Sequence, residues 1–125
     1  MKKIIATENA PKAVGPYSQA VQTGDLLFIS GQLPIDPITG KFAGESIEEQ
    51  TRQSLTNMGE ILKKAEMDFS NVIKTTVLLA DIKDFVAMNN VYAEFFSKDF
   101  PARAAFEVAN LPLGARVEIE AVASK

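Results

Sequence analysis

Between Ser46 and Ala65 the apolar residues Leu55, Met58, Leu62 and Ala65 recur at spacings of three and four, while Arg52, Lys63 and Lys64 fall on the opposite side. This spacing predicts an amphipathic helix. Its start is marked by Ser46 with Glu49 three residues on, a pair whose side chains can satisfy each other's first-turn N–H groups. A second helix, of about the same length, is predicted from Asp81 or Asp84, because Phe85, Met88, Tyr92 and Phe95 repeat a three-four-three spacing. It ends before Pro101, since a residue preceding proline is pushed out of helical geometry.

The remaining patterns are those of strands and turns. The stretch up to Pro16 carries Pro11, Gly15 and Pro16 and reads as an extended or looped entry. Tyr17 to Thr23 and Leu26 to Ser30 read as strands joined by a tight Gly24-Asp25 hairpin. Gly31 to Glu45 is rich in turn formers and reads as a loop, with a short strand pair around its turn. Val72 to Ala80 is a β-branched and aliphatic run, read as a strand. Arg103 to Ala109 follows as another, then a turn over 110–114, then a closing strand from Arg116 to Ala123. In that last strand Val117, Ile119 and Ala121 alternate with Arg116, Glu118, Glu120 and Val122.

The order is strands, helix, strand, helix, strands, an α+β layout in which both helices lie on one face of a single sheet. At 125 residues the chain makes one domain, 1–125, without repeat, linker or low-complexity segment. Two helices cover only one side of a sheet. The other side is expected to carry apolar residues such as those of Leu26 to Ile29 and Val77 to Leu79, more than a monomer usually exposes. A homo-oligomer is therefore predicted.

Composition narrows the chemistry more than it narrows the fold. The chain has no cysteine and no histidine, which excludes disulfides, thiolate metal sites, a Ser-His triad and the commonest general base. Reactions must run on carboxylates, Arg, Lys, Tyr, hydroxyls, backbone groups and water. A net charge of −3 with scattered lysines argues against a nucleic-acid or anionic membrane surface. Neither an export signal nor a stretch of membrane-spanning length is present, and a cytoplasmic location is expected. Gly15, Gly24 and Gly31 lack the spacing of a phosphate-cradling loop.

Three sets of residues could carry chemistry. Arg103 follows Phe100-Pro101-Ala102 at a strand start, where its fork could hold a carboxylate through two parallel hydrogen bonds, or form a plain salt bridge. Glu118 and Glu120 share one strand face and could place a water, act as general base or hold a divalent cation; alternatively they belong to a solvated outer face. Tyr17 and Ser30 lie at opposite ends of the hairpin, so pairing could bring them to one pocket. A tyrosine beside Gly-Pro is, however, more often a packed loop anchor, and a strand-terminal Ser-Gly more often a turn.

Read together, Ala13-Val14-Gly15-Pro16-Tyr17-Ser18-Gln19-Ala20, Phe28-Ile29-Ser30-Gly31-Gln32-Leu33-Pro34, Lys74-Thr75-Thr76-Val77, Asn89-Asn90-Val91-Tyr92-Ala93-Glu94-Phe95-Phe96, Pro101-Ala102-Arg103, Leu111-Pro112 and Val117-Glu118-Ile119-Glu120-Ala121 resemble the Rid/YjgF proteins in order and spacing. The similarity spans essentially the whole chain, and the Pro-x-Arg and Glu-Ile-Glu-Ala patterns point to the A-type deaminase branch. The resemblance implies a chorismate-mutase-like fold, a homotrimer, and clefts at the subunit interfaces. It implies hydrolysis of 2-imino acids, such as 2-iminopropanoate and 2-iminobutanoate, to 2-oxo acids and ammonia, with no metal and no organic cofactor.

By the same resemblance Arg103 clamps the substrate carboxylate and Glu118 positions the hydrolytic water. Tyr17, Ser30, Gly31 and Asn89 line the cleft, Tyr17 from the neighbouring subunit. The family often has Cys, or another small residue, two positions after the arginine; here Ala105 stands there, and its backbone rather than its side chain is the expected contact. Two other readings compete: an RNA-cleaving translation inhibitor, which the charge disfavours, and an oligomer that binds small carboxylates without turnover.

Overall fold

A computed structural model describes residues 1–125. Its strands are β1 (Lys3–Ile5), β2 (Ala20–Thr23), β3 (Leu26–Gln32), β4 (Val72–Leu79), β5 (Ala102–Glu107) and β6 (Val117–Ser124), and its helices are α1 (Ile47–Lys64) and α2 (Phe85–Phe95). The strands form one sheet in the order β1-β2-β3-β6-β4-β5. All pairs are antiparallel except β4 with β5. Because β3 and β4 both run antiparallel to the β6 between them, they share a direction, and each of α1 and α2 connects two like-directed strands. Both connections step the same way along the sheet, so a common crossover hand puts both helices on the same face.

Local chemistry explains the element ends. The Ser46 side chain accepts from the Glu49 N–H at 3.0 Å, and the Glu49 carboxylate accepts in return from Ser46, as the sequence predicts. At its other end α1 stops in a left-handed residue, Glu66 at φ 60°, with Met67 N–H donating to the Leu62 carbonyl and Glu66 N–H to that of Lys63. This is the paired closure that helices usually make with glycine. Gly24, at φ 56°, makes the tight turn between β2 and β3.

One face of the sheet packs against the helices through Leu27, Ile29, Val77, Leu79, Val117, Ile119, Ala121 and Ala123, all buried, against Leu55, Met58, Ile61 and Leu62 of α1 and Met88 and Tyr92 of α2. Several expectations need correction. Leu27, Ile29, Val77 and Leu79 belong to this covered face, whereas their neighbours Phe28 and Leu78 point to the open one. An unbroken apolar run hides the two-residue alternation that separates the faces. The second helix has 11 residues against 18 in the first: it starts after Asp84, the later of the two expected starts, behind a 3-10 turn over Ile82–Asp84, and it closes at Phe95, well short of Pro101. The entry forms the short edge strand β1, and Tyr17 lies in a loop ahead of β2. The strand pair expected within 31–45 is a single bridge, Ile35 to Phe42.

Candidate functional site

Arg103 stands near the start of β5, paired with Thr75 of β4. Paired residues project to the same side, and Thr75 is buried beneath α2, so Arg103 emerges on the helix side at the free edge of the sheet. There α2 presents Phe85, Asn89 and Tyr92 at intervals of four and three, one stripe of a helix. The guanidinium carbon lies 4.8 Å from the centre of the Tyr92 ring and 5.5 Å from that of Phe85, and Nη1 donates to Asn89 Oδ1 at 2.8 Å. The salt bridges of the chain are Arg52–Glu94 and Arg116–Asp84. The plain ion-pair reading of Arg103 therefore fails, and the rest of its donor fork is uncommitted.

The backbone adds to this. Val108 N–H donates to the Leu79 carbonyl at 2.9 Å, and since successive peptide groups of a strand point to opposite edges, those of Ala104 and Phe106 face β4. The N–H and C=O groups of Arg103 and Ala105 then face outward from the edge. A carboxylate held by the guanidinium has a backbone donor at Ala105 within the same strip.

Glu118 occupies a second environment. It pairs with Leu78, and Glu120 with Thr76, on the face that the helices leave open. Its carboxylate lies over Gly31, where any Cβ would collide with it, so glycine is what admits the acid here. Burial pushes the Glu118 carboxyl above its ordinary value, and the charge of Glu120 adds to the effect. Ser30 donates through Oγ to the Ser18 carbonyl at 2.6 Å, leaving its lone pairs to accept, and the half-exposed Tyr17 precedes Ser18 in the same loop. Ser30 is thus tied to the loop that carries Tyr17. No three acidic side chains gather as a metal-binding set.

The structure separates the two groups within one chain. Arg103, Asn89 and Ala105 lie on the helix side at one edge, while Glu118, Gly31 and Ser30 lie on the open side, with β4 intervening between β6 and β5. At about 4.8 Å per strand the two backbones are roughly 10 Å apart, and the side chains diverge from there. Arg103 and Glu118 therefore do not converge inside a protomer. The helical repeat assigns Phe85 and Tyr92 to the apolar face of α2 without a part in the site; their spacing with Asn89 is the available sign that they face the arginine.

The chain is an α+β protein with an arginine that has no carboxylate partner on one side of its sheet and, on the other, a glutamate whose carboxyl is pushed up by burial. Residues 7–125 match the family model described as Endoribonuclease L-PSP. Proteins of Capra hircus and Homo sapiens named 2-iminobutanoate/2-iminopropanoate deaminase are 56% and 54% identical over 98% of this chain and 90% of theirs. The YjgF gene product of E. coli, in its crystal structure, superposes with a TM-score of 0.95 at 44% identity over 98% of each chain. E. coli TdcF with bound serine gives 0.95 at 40% identity, also over 98% of each. The chain belongs to this family, the Rid/YjgF proteins.

Proposed function

We propose that this chain hydrolyses 2-imino acids, 2-iminobutanoate and 2-iminopropanoate among them, to 2-oxo acids and ammonia, at sites formed between copies of itself. The observation that carries the reading is Arg103: a guanidinium fixed by Asn89 and two rings, without a carboxylate partner in its own chain, beside an outward Ala105 N–H. Such a fork suits the carboxylate of a small substrate. The relatives named as 2-iminobutanoate/2-iminopropanoate deaminases support that substrate class.

The imine carbon is bonded directly to the carboxylate carbon, so the group delivering water must stand close to Arg103. The Glu118 of the same chain points away from it, on the other sheet face. A second copy supplies Glu118, Ser30, Gly31 and Tyr17 across the interface, and since two different patches meet, copies closing as a ring give one site per interface. We take the ring to be a homotrimer, and its location to be the cytoplasm.

The step is a hydration followed by an elimination. Glu118 takes a proton from water as the oxygen bonds to the imine carbon, and passes that proton to the nitrogen as the C=N bond becomes single. Glu118, ionised again, then takes the hydroxyl proton of the amino alcohol and delivers it to the nitrogen, so that the C=O bond forms as the C–N bond breaks and ammonia leaves. A carboxyl raised by burial accepts and returns protons nearer neutrality than an ordinary one, which favours both halves of the exchange. Ser30 Oγ, its proton engaged by Ser18, accepts from the N–H of the imine or of the departing ammonia.

The test adds the purified protein to threonine dehydratase and threonine and follows 2-oxobutanoate. Faster product at fixed dehydratase supports the reading, and an unchanged time course refutes it. Co-expressed Arg103→Ala and Glu118→Gln chains, each strongly impaired alone at low substrate, should regain activity at about a quarter of the sites in a randomly mixed ring. No recovery in mixed rings refutes the shared site.

A further inference from the structure

We infer that Tyr92, Phe85 and Thr75 are positioning residues that hold the Arg103 guanidinium in its carboxylate-binding pose without neutralising it; the assignment rests on the carboxylate-clamp reading of Arg103. The Tyr92 ring is nearly inaccessible, at 6% exposure, and one of its faces meets Phe96 at 4.6 Å between centres. Phe96 in turn meets Phe69 edge-on at 5.3 Å, and Phe69 also packs on Phe95. The ring that carries the cation is thus the outermost member of an aromatic stack rooted in the core. Phe85 bounds the guanidinium from one turn earlier on α2.

The hydroxyl fixes what the stack alone would leave free. Tyr92 Oη and Thr75 Oγ1 are 2.7 Å apart, and Thr75 is wholly buried on the strand position paired with Arg103 itself. Helix α2 and strand β4 are thereby tied together beneath the arginine. Burial pushes the Tyr92 phenol up from its ordinary value, against the opposing pull of Thr75 and of the Arg103 charge, so the ring is neutral wherever the protein is folded near neutrality.

That neutrality is the point of the arrangement. An aspartate or glutamate at position 92 would also orient Arg103, but it would fill the fork and compete with the substrate's carboxylate. Ring quadrupoles and the Asn89 carbonyl oxygen attract a cation while leaving its full charge and most of its donors available. The loss of side-chain freedom on binding is correspondingly small, since the fork is already placed.

The experiment measures, by calorimetry on the assembled protein, binding of 2-oxobutanoate and of its uncharged amide. Tyr92→Leu removes the ring and the tether, Tyr92→Phe keeps the ring, and Thr75→Val keeps Tyr92 but removes its anchor. Loss of one ring should weaken 2-oxobutanoate about two- to fivefold while leaving the amide unchanged. Tyr92→Phe and Thr75→Val should each give a smaller loss, and the double variant no more than either single one, because both cut the same bond. In the coupled assay the loss should appear in KM and not in kcat. Wild-type binding of 2-oxobutanoate by all three variants overturns the inference, as does an equal loss for acid and amide, which marks general damage. If the wild type binds the acid but does not speed imine hydrolysis, the deaminase reading fails while the positioning test still stands.

Discussion

Replacing Arg103 separates charge from geometry at the centre of the proposed site. The guanidinium is exposed, gives one Nη1 hydrogen to Asn89 and has the rest of its fork free. Two parallel bonds to a carboxylate, each taken at the solvent-exposed low end of about 1.5 kcal/mol, make roughly 3 kcal/mol, or a factor on the order of 100. Arg103→Ala should lower kcat/KM for 2-iminobutanoate by about that factor. Arg103→Lys keeps the charge but can make only one such bond, so about 1.5 kcal/mol and a factor of roughly 10 are lost. In the proposed site the clamped carboxylate does not change charge during the reaction. Both losses should therefore fall mainly on KM, with kcat less affected. The dehydratase-coupled assay reads this after subtraction of the spontaneous rate. Undiminished kcat/KM in Arg103→Ala refutes the clamp, and equal losses in the Lys and Ala variants refute the role of the planar fork.

Three further changes probe other parts of the molecule. Gly31→Ala forces the Glu118 carboxylate aside, so kcat should drop by about tenfold or more with the thermal midpoint little altered; retained turnover would show that the carboxylate's placement is immaterial. Glu120→Gln removes the like charge that helps raise the Glu118 carboxyl, so Glu118 should ionise at lower pH and the acidic limb of the kcat/KM profile should move down in pH. A limb that stays in place or moves up contradicts Glu118 as the base. Glu66→Gly relieves a left-handed residue at the end of α1 and should stabilise by about 0.5–1 kcal/mol, seen as a raised melting midpoint at fixed protein concentration. A lowered midpoint would mean the glutamate side chain is needed there.

What could be read from the sequence was whatever repeats locally. The Ser46–Glu49 cap, the Leu55–Met58–Leu62 face and the Val117–Ile119–Ala121 alternation each sit in a single element, and all three stand in the structure. The order of elements was also enough to put two helices on one side of one sheet. Less was legible where two elements meet. Leu26 to Ile29 and Val77 to Leu79 look uniformly apolar, because the open face also carries Phe28 and Leu78, so alternation leaves no polar mark. Similarly, Arg103 and Glu118 are both strand residues fifteen positions apart in sequence, and nothing local says that the pairing of β4 with both β5 and β6 sends them to opposite faces. Register carries that information, and register is a property of the pair of strands.

The opposite-face placement has a chemical consequence for the proposed site. Were Arg103 and Glu118 neighbours on one face, they would pair, the fork would be filled, and the Glu118 carboxyl would be drawn down instead of pushed up. Kept apart by β4, neither has an internal counter-ion: the arginine is cradled by neutral groups, and the glutamate is half-buried beside another acid. In the proposed ring, a cation without a counter-ion from one copy would meet a carboxyl poised to exchange protons from the next. A substrate that already carries an electrophilic C=N bond needs little more than this orientation and a delivered water. A chain without histidine, cysteine or a metal-binding cluster can supply both.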